Sequence, residues 1–61
     1  MVIRMYYNYE DGNKKEASID KKSEDRYIVN LFYYGFFHKS YTCKTFHEAQ
    51  SKALRFINSR A

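Results

Sequence analysis

Residues 26–57, RYIVNLFYYGFFHKSYTCKTFHEAQSKALRFI, decide the fold of this chain. The segment 26–34 is dominated by β-branched and aromatic residues, which predicts a strand. Gly35 gives the backbone the freedom to turn, and 36–43 predict a second strand that returns beside the first. A helix is predicted over 45–58. The stretch therefore predicts an antiparallel hairpin with one amphipathic helix packed across it.

The start of the predicted helix carries a capping box at Thr45 and Glu48. In this motif the threonine hydroxyl accepts a hydrogen bond from a helical N–H, and the glutamate reaches back toward the cap. Apolar side chains then recur every three or four residues and form one stripe. The stripe consists of Phe46, Ala49, Ala53, Phe56 and Ile57, and the cations beside it are Lys52, Arg55 and Arg60. We expect the stripe to face the sheet, closely at its two alanines.

The N-terminal part predicts one further strand and a weaker one. Residues 2–9 alternate with period two, and their more apolar odd side is predicted to face the core. Asp11-Gly12 predicts a hairpin turn, after which 14–19 either pair back as a strand or form a polar loop. Residues 20–25 predict a charged loop. The chain is therefore predicted to be a single α+β domain, with an antiparallel β-meander of three or four strands followed by one C-terminal helix on one face.

The chain is basic, with a net charge of +4, and its charges are unevenly distributed. The first 25 residues carry five basic and six acidic side chains, whereas the remaining residues carry six basic and one acidic. The basic excess therefore belongs to the hairpin and the helix. Such asymmetry favours an anionic partner.

Few residues are suited to catalysis or to binding a metal ion. Cys43 is the only cysteine, so neither a disulfide nor a zinc site with His38 and His47 is expected. The sequence has no paired carboxylates on one strand face, no glycine-rich phosphate loop and no nucleophile–base motif. It predicts a non-enzymatic binding protein without cofactor, metal ion or small-molecule substrate. Cys43 precedes a helix, where a thiol pKa can fall, but a buried apolar role is the more common one.

The N-terminal residues do not have the pattern of a signal peptide. Arg4 follows Val2 and Ile3 at once, so there is no apolar run of the required length. No segment approaches the roughly 20 apolar residues of a membrane span. Together with a free cysteine, these features predict a cytoplasmic protein without a membrane partner.

One helix covers only one face of a sheet, so the other face should be open. The side chains predicted to meet the helix include Ile3, Met5, Tyr7, Val29, Leu31, Phe37 and Tyr41. The open face is then predicted to carry Arg4, Tyr6, Asn8, Ile28, Asn30, Phe32, Tyr34, Phe36, His38 and Ser40. Because rings mix there with polar groups, the open face predicts an interaction site.

Three interpretations of this face remain open. In the first, rings and cations bind nucleic acid, DNA rather than RNA. The candidate contacts are Arg4, Arg26, Asn30, His38 and Lys39, with Lys14, Lys15 and Lys44 adding backbone contacts. In the second, the face binds protein, as a homodimer interface or as an inhibitor of another protein. The candidate interface residues are Tyr6, Ile28, Phe32, Tyr34 and Phe36. In the third, a strong twist folds the rings into a second small core beneath residues 10–25.

Several features of the hairpin and helix are shared with known DNA-binding domains. They are the hairpin 27–41, its Tyr34-Gly35 turn, the helix entry Thr45-Phe46-His47-Glu48-Ala49, and Ala53. On these features residues 26–57 resemble AP2-type domains and the amino-terminal arm-binding domains of phage and transposon integrases. The resemblance implies a three-stranded sheet that enters the DNA major groove and is backed by a helix, and it suggests a phage or mobile-element origin. Here aliphatic and aromatic residues replace the arginines expected on the DNA-facing strands, which favours the protein interface.

Overall fold

The chain forms one four-stranded antiparallel sheet followed by one helix. The computed structural model describes residues 1–59, apart from the side chain of Asp11. The elements are β1 (Val2–Asn8), a short 3-10 helix (Glu10–Gly12) in the β1–β2 connection, β2 (Lys15–Ser23), β3 (Arg26–Tyr33), β4 (Phe36–Cys43) and α1 (Phe46–Ile57). The strands lie side by side in sequence order. The predicted α+β meander with a C-terminal helix is therefore confirmed, in its four-stranded form. Arg60, predicted as a cation beside the helix, lies outside the described residues.

β2 is the longest strand, and it lies between β1 and β3. The weak alternation of 14–19 leaves strand and loop open, and the charges of 20–25 predict a loop, but the structure extends β2 as far as Ser23. Ala17 and Ile19 explain why the segment pairs, because both side chains are fully buried under the helix. The strand's charged second half needs no burial, since it continues the ladder with β3 as far as the tight turn at the sheet's end.

α1 begins with the predicted cap. The Glu48 N–H donates to Thr45 Oγ1 at 3.1 Å, and Glu48 Oε1 accepts from the Lys44 N–H at 3.0 Å, one residue before the cap. Ala49 and Ala53 have no exposed surface, so the helix approaches the sheet as closely as the two alanines predict. The buried core consists of Ala17, Ile19, Tyr27, Val29, Leu31, Cys43, Ala49, Ala53 and Ile57.

The two faces of the sheet are defined here as the helix side and the open face. On β3 the odd residues Val29 and Leu31 lie on the helix side, as predicted. On β1 the prediction is wrong. Met5 and Tyr7 are 45% and 56% exposed, and Ile3 is exposed at a bulge in which it lies between the paired residues Val2 and Arg4.

The even residues of β1 face the helix instead, because α1 offers them polar partners. Gln50 Nε2 donates to the Tyr6 hydroxyl at 3.0 Å, and Asn8 Nδ2 donates to the Ile57 carbonyl at 2.8 Å. An edge strand beside a helix terminus can thus bury amphipathic side chains, provided that their polar ends are satisfied. Counting apolar residues on each side of β1 does not reveal this preference.

A bulge in β4 reverses the faces to which part of its side chains point. Leu31 pairs with Lys39, whereas Phe32 pairs with Phe37, so His38 is an extra residue in β4. A single inserted residue reverses the side-chain alternation beyond it. Phe37, predicted to face the helix, therefore lies on the open face, and His38, predicted to lie on the open face, packs on the helix side.

Candidate nucleic-acid interface

A groove runs between β4 and α1 on the helix side. It has a volume of about 300 Å³. It forms because α1 packs mainly against β2 and β3 and leaves β4 less covered. The side chains that give the groove its chemistry are His38, Lys39, Tyr41, Lys52, Arg55 and Phe56. We call this set the cationic groove.

Two lysines of the cationic groove lie against the ring of Tyr41. Lys39 Nζ is 5.0 Å from the ring centroid, and Lys52 Nζ is 4.8 Å from it. A tyrosine face attracts ammonium groups, so the ring holds both of them close to one site. Arg55 follows Lys52 by three residues on the same side of the helix and is exposed. Three cations are thereby gathered from two elements.

The remaining rings of the groove are already stacked. His38 lies parallel to Phe56, with 5.6 Å between ring centroids and 22° between planes. Tyr33 meets both rings edge-on, at 6.4 Å and 6.2 Å. These contacts form an aromatic wall in which Phe56 is covered by its neighbours, whereas His38 remains exposed.

No carboxylate lines the cationic groove among the described residues. The ion pairs found within residues 1–59 lie elsewhere, at Asp20 and at Glu24. Glu48 is four residues before Lys52, but its Oε1 accepts the Lys44 N–H. The positive charge of the groove is thus not neutralised by an ion pair in the described part of the chain, which makes the groove suited to an anionic ligand.

Cys43 lies beneath the helix start and is 2% exposed. Burial, helped by the nearby Glu48 carboxylate, raises the pKa of its thiol above the ordinary value, and Lys52 opposes this shift. Cys43 therefore has the buried, apolar role that is more common for a lone cysteine. Its position before a helix does not lower the pKa of the thiol.

The cations predicted to bind nucleic acid divide between several places. His38 and Lys39 lie in the cationic groove, whereas the Arg4 guanidinium lies over the Phe46 ring at 5.5 Å, near the other end of α1. Arg26 and Lys44 are exposed near the sheet end opposite the tip formed by the β1–β2 and β3–β4 turns.

The paired lysines after the first turn also separate. Lys14 is exposed, whereas Lys15 is 2% exposed and donates from Nζ to Ser59 O and, at 2.9 Å, to Ser59 Oγ. Asn30 is half-buried on the open face, in register with Ser18 and Ser40. The structure therefore places only two of the eight predicted residues in one site.

The residues predicted to form a protein interface also lie in different parts of the molecule. Ile28 and Phe32 lie half-buried on the open face, but Tyr6 lies on the helix side. Tyr34 and Phe36 are 50% and 77% exposed at the tip. The interpretation in which the rings fold into a second core is therefore wrong, because the rings at the tip remain exposed.

Sequence reasoning missed residues of both surfaces. Lys52 and Arg55 were recognisable as cations beside the helical stripe, but that they meet Lys39 and Tyr41 of β4 depends on how α1 lies across the sheet, which the sequence does not show. Met5, Tyr7 and Phe37 belong to the open face. Met5 and Tyr7 were assigned to the core because the odd side of β1 is the more apolar, and Phe37 was assigned to it by uninterrupted alternation along β4. A bulge has no reliable signature in residue type when its extra residue is not glycine.

Within residues 1–59, no three His, Cys, Asp or Glu side chains come together as a metal site would require. α1 is too short and too polar to cross a membrane, and the described residues contain no other α-helix. No protein-family model, curated protein or solved structure matches the chain. The interpretation of its surfaces therefore depends on their chemistry alone.

Proposed function

We propose that this chain is a non-enzymatic binding protein that holds nucleic acid by its phosphate backbone in the cationic groove. The observation that carries the proposal is the convergence of Lys39, Lys52 and Arg55 on one groove without a carboxylate among its described lining residues. A polymer of phosphates can meet all three cations at once, whereas a small anion meets one or two. Each phosphate contact also releases condensed counterions, which drives the binding.

The groove favours backbone contacts over base recognition. Both lysines already lie on Tyr41, and His38 and Phe56 stack on each other. Bases would have to displace these contacts in order to stack on Tyr41 or Phe56. Contacts to phosphate carry no sequence information of their own. The proposed binding is therefore weakly dependent on sequence and strongly dependent on salt.

The proposal differs from a sheet that enters the major groove. The open face carries the carboxylates of Glu16 and Asp20, whose partners Phe32 and Ile28 in β3 lie on that face. Carboxylates repel phosphate, so the open face is the less favourable of the two surfaces for nucleic acid. The predicted choice of DNA over RNA stays a prediction, because backbone contacts of this kind do not require a 2′-hydroxyl.

The test is fluorescence anisotropy with labelled single-stranded and duplex DNA, and with RNA, between about 50 and about 200 mM salt. Three phosphate contacts predict that log K falls with log salt at a slope of about −2 to −3. The double variant Lys52→Gln/Arg55→Gln should bind at least about tenfold more weakly, and its slope should be smaller in magnitude by about two.

The matched control is Lys21→Gln/Lys22→Gln. It removes the same amount of charge from the C-terminal half of β2, away from the groove. Those lysines pair with Glu24 and Asp20 and lie outside the groove. The control should retain wild-type affinity and slope. Equal losses in both double variants, or wild-type binding that does not change with salt, would contradict a localised phosphate site.

A further inference from the structure

The side chains of the open face form parallel rows that run across the four strands. One row contains Tyr7, Glu16, Phe32 and Phe37, which are in register across the four strands. The next row contains Met5, Ser18, Asn30 and Ser40. The rows are about 7 Å apart, since they are separated by two residues along each strand. The first row is called the ring row here, and the second, whose side chains are mostly small, is called the small-residue row.

The ring row is exposed but ordered by its own contacts. Phe32 and Phe37 meet edge to face at 6.1 Å, and Tyr7 meets Tyr9 in the same way at 6.0 Å. Phe37 is nevertheless 63% exposed. Apart from Glu16, the two rows combine rings with uncharged residues, which is typical of an interface core, where aromatic residues are enriched and charges are depleted.

The two carboxylates of the open face are engaged within the chain. The Tyr9 hydroxyl donates to Glu16 Oε2 at 2.6 Å, and this bond raises the pKa of Tyr9. Asp20 bonds the N-terminal ammonium and Lys22, which together lower the pKa of its carboxyl group. Asp20 therefore already has cations as partners, whereas Glu16 has a neutral hydroxyl as its partner and keeps its charge in the ring row. The small-residue row of Met5, Ser18, Asn30 and Ser40 contains no charge, so burying that row leaves no unpaired charge there.

We propose that the open face is covered by a second copy of the chain, sheet against sheet, in a two-fold symmetric dimer. In a two-fold contact each surface patch meets itself. The ring row of each copy can then lie against the small-residue row of the other, because the two rows are neighbours of similar length. The helices and both cationic grooves remain on the outside of this dimer.

The area of the face is sufficient for a specific but modest dimer. Strands of seven to nine residues give a face of about 26 Å by about 19 Å, or about 500 Å² in each copy. Two such faces reach the lower limit of about 1,000 Å² for a specific interface. The contact must therefore use the whole face, and we expect a dissociation constant on the order of 10 μM.

The experiment is sedimentation equilibrium of the full chain between about 5 and about 500 μM. The wild-type mass should rise from 7.4 kDa to twice that value as concentration increases. Ser40→Lys places a charge in the small-residue row and should weaken the dimer by about a hundredfold. Ser51→Lys makes the same chemical change at an exposed position of α1 and should dimerise like the wild type.

Phe37→Ser is the second variant, since an exposed ring can be removed without emptying the core. It should also weaken the dimer, and circular dichroism should show native secondary structure for all three variants. A wild-type chain that stays monomeric throughout the range would overturn the proposal, as would a Ser40→Lys or Phe37→Ser variant that dimerises as tightly as Ser51→Lys. Occupation of the face by a different protein would give the monomeric result.

Discussion

Lys14 and Lys15 are adjacent residues of one type, yet the structure gives them different environments. Lys14 is exposed, whereas Lys15 lies under the end of α1 and hydrogen-bonds to Ser59. The Lys15 ammonium is also 6.0 Å from the Tyr33 ring centroid and 5.7 Å from that of Phe56. A cation at this point satisfies a carbonyl just beyond the helix and complements the helix dipole. Lys15 is therefore a structural residue, and the sequence offers no sign that separates it from its neighbour.

Lys15→Ala should lower the free energy of unfolding by about 2 kcal/mol, because it removes charged hydrogen bonds and buried methylene groups together. Lys14→Ala should change it by less than about 0.5 kcal/mol. Urea unfolding followed by circular dichroism measures both changes. Similar effects of the two substitutions would show that Lys15 does not hold the end of the helix.

The assignment of side chains to faces is the part of the fold that sequence predicts least well at the scale of single residues. Val29 and Leu31 are assigned correctly because β3 is regular between its two neighbours. Phe37 and His38 are assigned to the wrong faces because one extra residue in β4 reverses the alternation. The sequence contains the alternation, but the reversal coincides with a tertiary contact, the stacking of His38 on Phe56, which residue type does not show.

Among the elements, α1 is the one that its own residues predict best. Its cap, its apolar stripe and its close approach at two alanines are all present in the structure. β3 and β4 follow from their β-branched and aromatic residues. β2 does not, because it is held by neighbours on both sides and needs few apolar residues of its own.

The cap of α1 supports a prediction at this scale. Thr45→Ala removes the hydroxyl that accepts from the Glu48 N–H and should cost about 1 kcal/mol of stability. A loss of this size lowers the melting temperature of a small domain by roughly 4–8 °C. Differential scanning calorimetry measures the shift. Thr45→Ser keeps the acceptor and should retain most of the stability, and a serine variant as unstable as the alanine variant would argue against the cap.

In the whole molecule, the two surfaces lie on opposite sides of one sheet. The cationic groove is on the helix side, and the rings of Tyr7, Phe32 and Phe37 are on the open face. The excess of rings over what one helix can cover is visible in the sequence. The separation of rings from cations is not, because it depends on the bulge in β4 and on the reversed orientation of β1.

This separation predicts that each surface can be disabled alone. Ser40→Lys should lose the dimer and keep the groove's salt-dependent affinity for nucleic acid, measured per chain. Lys52→Gln/Arg55→Gln should lose nucleic acid and keep the dimer, since neither side chain lies on the open face. Sedimentation and anisotropy on the same samples measure both properties. Joint loss in either variant would mean that the two surfaces act as one site.

The bulges in the two outer strands also affect how those strands meet other chains. Residues Ile3 and His38 each interrupt one outer strand, β1 or β4. A bulge twists an edge out of the flat geometry on which a further strand could add through backbone hydrogen bonds. A ring-rich chain of this length is otherwise at risk of cross-β stacking. A bulge in each outer strand therefore disfavours the addition of a further strand at either edge of the sheet.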